Sequence, residues 1–404
     1  MKLFHKLRTF IWASGLTGFL LLFHPILTIL ITRRRDLSQA SDLDGSSIIQ
    51  IGYVVFCTFI IFRELTIFNQ FLLKKIIFRS PIKFLLLFNI LCFLSALWST
   101  NTILTLYRSF ECLVFLLLIT LTIKKLLIKF TFDQVIEWTI WFAFWNLVVG
   151  ILFRLKLVGL SGISIPFLPS RLFFPLFFFI IVLFGKKTLP KIVTIVIAII
   201  GLSNKIFIGI SMGFLSFING SVRNKIIFVF FGISLFFIIA FFGFDEVLLN
   251  SLFYGRDSIG LEDASGRKQV WKYLINAGLE KPLIGYGFAS GELSLLSVSS
   301  WKGAINSHNS FVSAFVNTGV LGLILLIIFF YKTLILILKI RNKQKRIAFL
   351  STIIIITVVS VSAPGIGGRV YGSWIPSVFL ISLMIGLIVL DSLKRNSTKI
   401  RKNN

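Results

Sequence analysis

A chain of 404 residues that is 56% hydrophobic, with 46 Phe and a mean hydropathy of +0.94, holds more apolar surface than a water-soluble fold of this length buries. Its formal net charge of +27 would suit nucleic acid, but 26 of the 42 Lys and Arg fall in seven short segments: 2–8, 74–83, 124–129, 186–191, 223–225, 332–346 and 394–402. These segments lie between alternate apolar runs, which is how Lys and Arg hold loops on the cytoplasmic side of a membrane. The basicity therefore reports topology, and no nucleic-acid partner is expected.

Taken in chain order, the apolar runs predict spans near 10–32, 48–72, 83–98, 102–123, 134–154, 171–185, 189–204, 206–221, 226–245, 310–331, 347–363 and 374–392. This is an all-α polytopic membrane protein of about twelve transmembrane helices, in contact with the bilayer throughout, with both termini cytoplasmic. It divides into 1–245 with nine spans, a long outer loop at 246–309, and 310–404 with three spans and a basic tail. The first run follows a basic leader without a small-residue cleavage site, so it reads as a retained span rather than a signal peptide. Arg33, Arg34 and Arg35 break the charge rule by falling outside; either the first span sits differently or they attract an anion. Cys57, Cys92 and Cys112 lie in apolar runs, with no paired or metal-ligand spacing.

The loop at 246–309 faces away from the basic loops, and its length marks it as functional or disordered. Trp271, Tyr273, Tyr286, Phe288 and Trp301 give it the material of a folded segment. Within it, "SGRKQVWKYLINAGLEKP" predicts a helix from near Ser265 to Pro282, with Arg267, Trp271, Leu274 and Gly278 on one face. Then comes "SHNSFVSAFVNTGVLGL", which carries the only histidine beyond residue 50. As a continuous helix, positions 308, 312, 315, 319 and 322 form one stripe, with Gly319 and Gly322 below His308. Small residues on a membrane helix admit a neighbouring helix or a lipid chain. The plainer alternative is a capped helix start with an interfacial histidine and a glycine packing face.

Arg154, Arg256, Arg267 and Arg369 fall on the outer face without obvious carboxylate partners, Arg171 stands at a span start, and Arg108 lies a turn or two inside another span. Charge in the bilayer is costly and by default functional, although Glu111, three residues on, offers Arg108 a structural partner. Guanidinium forks suit phosphate, and a helix start at Arg267 adds backbone donors. No Walker loop, zinc motif or hydrolase elbow occurs, and Asp257, Glu262 and Asp263 lack metal-ligand spacing, so neither a metal nor another cofactor is expected.

"GRDSIGLEDASGRKQVWKYLINAGLEKPLIGYGFASGE", followed by "SHNSFVSAFVNTGVLGL", resembles the signature of the O-antigen ligase/polymerase superfamily, bacterial membrane glycosyltransferases of the GT-C type. The combination G-R-x-x-x-W, P-L-I-G-Y-G and H-N-x9-G-x-x-G carries the resemblance over 256–323. A weaker likeness over 94–220 rests on "LSALWSTNTILTLYRSF" and "PSRLFFPLFF". Where the family often has Ser-Arg after a mid-chain span, this chain reads "LSNKIFIGI"; Lys205 keeps the charge and loses the fork. Gly255-Arg256-Asp257 ahead of Gly266-Arg267 is most similar to exopolysaccharide polymerases.

The resemblance implies a donor glycan on undecaprenyl pyrophosphate, an acceptor that is a glycan or a lipid-linked glycan, and an active site on the outer face of the cytoplasmic (inner) membrane. It implies catalytic roles for His308 and Arg267, and substrate contacts from Arg256, Arg171, Arg108, Asn309, Lys205, Trp271 and Tyr286. It also implies a chain-length regulator protein as a partner. A polymerase of lipid-linked repeat units, a ligase moving glycan to a lipid A core or a protein, and a lipid-linked glycan flippase are the readings to separate. A flippase would spread its charges along the spans; here the interior ones are chiefly Arg63, Glu64, Arg108 and Glu111.

Overall fold

The computed structural model describes residues 14–24, 26–27, 45–67, 70–132, 134–135, 138–139, 267–298, 306–362, 365–370 and 374–403. The spans expected between 140 and 245 lie outside these residues, as do Arg33 to Arg35, Arg154, Arg171, Lys205 and Arg256. The described residues form helices, with no strand among them. That suits a chain whose backbone polar groups must be paired without water. In chain order they are α1 (Ser14–His24), α2 (Gly45–Ile67), α3 (Phe71–Phe78), α4 (Ile82–Leu94, continued by a 3-10 turn Ser95–Leu97) and α5 (Thr102–Lys129). Further along the chain come α6 (Arg267–Glu280), α7 (Ser290–Val298), α8 (Ser310–Leu338), α9 (Lys343–Ser362) and α10 (Trp374–Asn403).

Ser47–Thr66 of α2, all of α8 and Trp374–Leu393 of α10 are long and apolar enough to cross a membrane, and α3 with α4 makes a fourth if that bent pair counts as one span. The chain is a membrane protein. Its element edges differ from the hydropathy runs where local chemistry intervenes. The run expected at 48–72 ends at Ile67, and the one expected at 83–98 is the second limb of an elbow bent by 75°. Pro81 sits at the N-cap of α4 with φ −56° and no N–H to give, while Ser80 Oγ accepts from Ile82 N at 3.1 Å. Proline at a helix start fits this geometry and bars continuation from the preceding turn. A buried ion pair, Lys125 Nζ to Glu64 Oε2 at 2.7 Å, ties α5 to α2.

The position of the α6–α7 hairpin is set by a break in α8. Gly319 takes φ 67°, ψ −167°, a region open essentially to glycine alone. The break frees backbone groups in mid-helix, and the loop after α6 takes them up. Tyr286 N donates to Val316 O at 3.0 Å, Gly287 N to Asn317 O at 2.9 Å, and Val320 N to Pro282 O at 2.7 Å. A Cβ on Gly319 would stand 2.2 Å from the carbonyl of Leu283, and one on Gly285 would stand 2.6 Å from Val316 O. The expected stripe from 308 to 322 is therefore corrected: His308 precedes the helix, and Gly319 interrupts it to seat a loop.

The same loop is fastened from the other side by the segment after α4. Trp98 Nε1 donates to Ile284 O at 3.0 Å, and Phe288 N donates to Ser95 Oγ at 2.9 Å. Ser99 Oγ lies 2.6 Å from Ser290 Oγ and 2.7 Å from Thr105 Oγ1. Two apolar clusters result. The larger fills the helix bundle; the smaller unites Val270, Trp271 and Leu274 of α6 with Leu296 of α7 and Val312 and Val316 of α8. The turn that carries His308 lies where α6, α7 and α8 meet.

Candidate functional site

Asn309 begins the site by starting a helix. Its extended backbone (φ −141°, ψ 115°) and its Oδ1, which accepts from Phe311 N at 2.9 Å and Val312 N at 3.2 Å, make it the N-cap of α8. The preceding residues close into a tight turn. His308 N donates to Asn306 Oδ1 at 3.0 Å, Asn309 N to Ser307 Oγ at 3.2 Å, and Ser307 Oγ to Asn309 O at 3.0 Å. Within this turn His308 adopts φ +53°. A side chain in that left-handed region costs about 1–2 kcal/mol, so its surroundings must enforce it.

Two side chains from the α6–α7 hairpin do so. Trp271, one turn into α6, donates Nε1–H to Ser307 O at 2.7 Å while its ring lies buried in the smaller core. Glu292 of α7, 5% exposed, accepts from Ser307 N with one oxygen and from Ser313 Oγ at 2.8 Å with the other. Asn317 completes the brace: its Oδ1 accepts from Glu292 N at 2.9 Å, and its Nδ2 donates to Ser313 Oγ at 3.1 Å. Trp271→Phe keeps an aromatic side chain but removes the pyrrole ring and strands the Ser307 carbonyl, a loss of about 1–3 kcal/mol for the hydrogen bond in addition to the small cavity left. A lower melting temperature of the detergent-purified protein, with activity reduced, is the expected result; an unchanged melting curve would show that the hydrogen bond carries no weight.

His308, half-buried, lines a polar cavity with Glu292, Asn306, Ser313, Asn317 and Arg369. Arg369 arrives from the glycine-rich loop 365–368 between α9 and α10, whose backbone lies against Ser310. Beside this cavity, Arg108 Nη1 meets Glu111 Oε2 at 2.9 Å, so the structural partner offered by the sequence is taken. Arg369 lies within electrostatic range of that carboxylate.

The structure thus brings His308, Asn309 and Trp271 together and places Arg267 as the first residue of α6, one helical turn before Trp271. Arg108 and Tyr286 are not among the cavity's lining residues. The Tyr286 hydroxyl lies 3.0 Å from Ala277 O and 2.8 Å from Glu280 Oε2, on α6. Burial and the neighbouring Glu280 push its pKa above the ordinary phenol value, so it stays a neutral donor. Glu292 was not singled out by the sequence, and Arg369 only as one of several outer arginines. A single acid in the otherwise uncharged "SGELSLLSV" was the available signal for the first.

No family profile matches the chain. Over 90 residues it is 30% identical to a protein of Rickettsia conorii described as "Putative polysaccharide ligase". The match takes in 20% of this chain and 22% of that protein's length. The likeness is local.

Proposed function

We propose that this protein is a membrane glycosyltransferase of the O-antigen ligase/polymerase type, of GT-C-like fold with about twelve spans. It transfers glycan from undecaprenyl pyrophosphate to a hydroxyl on another glycan at the outer face of the cytoplasmic membrane. The observation that carries this is the turn 306–309: a histidine held in a left-handed conformation over a polar cavity that also receives Arg369. In the reaction the acceptor oxygen forms a bond to the anomeric carbon as the bond from that carbon to the pyrophosphate oxygen breaks. The acceptor's proton passes to His308, and the pyrophosphate leaves on its lipid with arginines facing its charge. Asn309 serves by fixing the turn, and Trp271 by holding Ser307.

The polymerase reading draws on the Gly255-Arg256-Asp257 resemblance, and the ligase reading on the name of the Rickettsia conorii protein. Both use the same chemistry with different acceptors. A flippase is less well supported, because three of the four interior charges it would need along a path are engaged in pairs, Glu64 with Lys125 and Arg108 with Glu111. Arg267→Lys tests the pyrophosphate role. It keeps the charge and loses the fork, so transfer should fall about tenfold or more, in line with losing a charge-assisted hydrogen bond of about 1.5–3 kcal/mol. Near-normal glycan output at a normal membrane level of protein would leave only a general positive field at that position.

A further inference from the structure

We infer that Glu292 is a positioning residue for His308, its carboxylate setting the direction in which the imidazole enters the cavity. This rests on the reading of the turn 306–309 as the transfer site. Glu292 sits in α7, while the groups it holds lie on either side of His308: Ser307 N immediately before it, and Ser313 Oγ in the first turns of α8. The carboxylate therefore spans His308 from outside its own segment. It fixes the turn against the helix that the turn precedes.

An acid suits this position for a specific reason. In the arrangement seen both partners donate, one an N–H and the other an O–H, so only a residue that accepts on both sides keeps it intact. A carboxylate does this with two oxygens and with the added strength of charge. Glutamine has the same shape and only one acceptor. With its oxygen toward Ser307 N, its amide N–H would face Ser313 Oγ, which already accepts from Asn317 Nδ2. The hydroxyl would have to turn its proton elsewhere, and the brace through Asn317 to the Glu292 backbone would rearrange. The cavity would keep its size and lose the registration of His308 by a fraction of an ångström. Rates respond steeply to such displacements, about 10²-fold for 1 Å, whereas binding of a long lipid-linked donor does not.

A double-mutant cycle tests this with purified full-length protein in nanodiscs, undecaprenyl-pyrophosphate-linked oligosaccharide as donor, and rates normalised to monodisperse protein. Glu292→Gln should lower kcat about 10–100-fold with the donor KM within about threefold. In a His308→Ala background the same change should cost less than about twofold, because the group it positions is gone. Ser313→Ala removes one donor without touching the acid and should lose about 3–10-fold, again only when His308 is present. It supplies the same cycle if Glu292→Gln yields too little folded protein. Equal losses in both backgrounds, or wild-type kcat for both variants, would overturn the positioning role while leaving the transferase reading intact. A wild-type rate for His308→Ala itself would remove the transfer site, and the inference with it.

Discussion

His308→Ala is expected to lower glycan transfer about 10²–10⁴-fold, the range for loss of a positioned acid–base group. Cells that depend on the variant should accumulate lipid-linked units and show no long chains on a gel, while a blot shows normal protein in the membrane. The protein should still fold, because the cap of α8 belongs to Asn309 and the anchors of the turn belong to Trp271 and Glu292. Alanine pays the general left-handed cost of about 1–2 kcal/mol, a little more than histidine, which is enriched at positive φ, and the anchors of the turn bear it. His308→Gln separates two roles. If the imidazole only donates a hydrogen bond, glutamine restores part of the rate; if it takes the acceptor's proton, glutamine restores none. Normal chains from His308→Ala would reduce the histidine to structure and put the chemistry on the arginines.

Gly319→Ala should be strongly destabilising. The backbone there is in a region that costs a non-glycine residue about 1–3 kcal/mol. The new Cβ would also lie 2.2 Å from the Leu283 carbonyl, where no side chain can rotate away. Relieving that clash moves the 282–287 loop and breaks its three backbone hydrogen bonds to α8. A total loss of about 4 kcal/mol or more follows, seen as collapse of the monodisperse peak in size-exclusion chromatography of the detergent extract. Gly52→Ala is the control, because a Cβ there meets nothing within 4 Å. Inside α2 the added methyl should leave stability unchanged or raise it by up to about 1 kcal/mol. Equal behaviour of the two variants would mean that the break in α8 is not what seats the hairpin.

Much of the local structure was readable from the chain. Pro282 and the spacing of Arg267, Trp271, Leu274 and Gly278 placed α6 within two residues at each end, because helix edges and apolar faces are local properties. Asn309 ahead of an apolar run likewise announced a helix start. The break at Gly319 was not readable, since the periodicity of 308, 312, 315, 319 and 322 is the same for a continuous helix. What breaks it is the loop some 35 residues earlier, which competes for the carbonyls of Val316 and Asn317. Trp98 and Ser99 stood out as a motif, but their partners Ile284 and Ser290 lie nearly 190 residues away. Glu292 is the same case: its value lies wholly in contacts to residues 307 and 313, which nothing in its own helix reveals. Arg369 joined the site because the loop 365–368 packs against Ser310, a tertiary event.

The most direct measurement uses the full-length protein in nanodiscs with undecaprenyl-pyrophosphate-linked oligosaccharide as both donor and acceptor, in parallel with a lipid A core acceptor, read by mass spectrometry. A new glycosidic product together with released undecaprenyl pyrophosphate is expected, both lost in His308→Ala. Dimeric and longer glycan on the lipid would assign polymerase, and glycan on the lipid A core would assign ligase. Donor recovered intact with either acceptor, but moved from one leaflet to the other when the protein is placed in sealed vesicles, would contradict the account and make the protein a carrier.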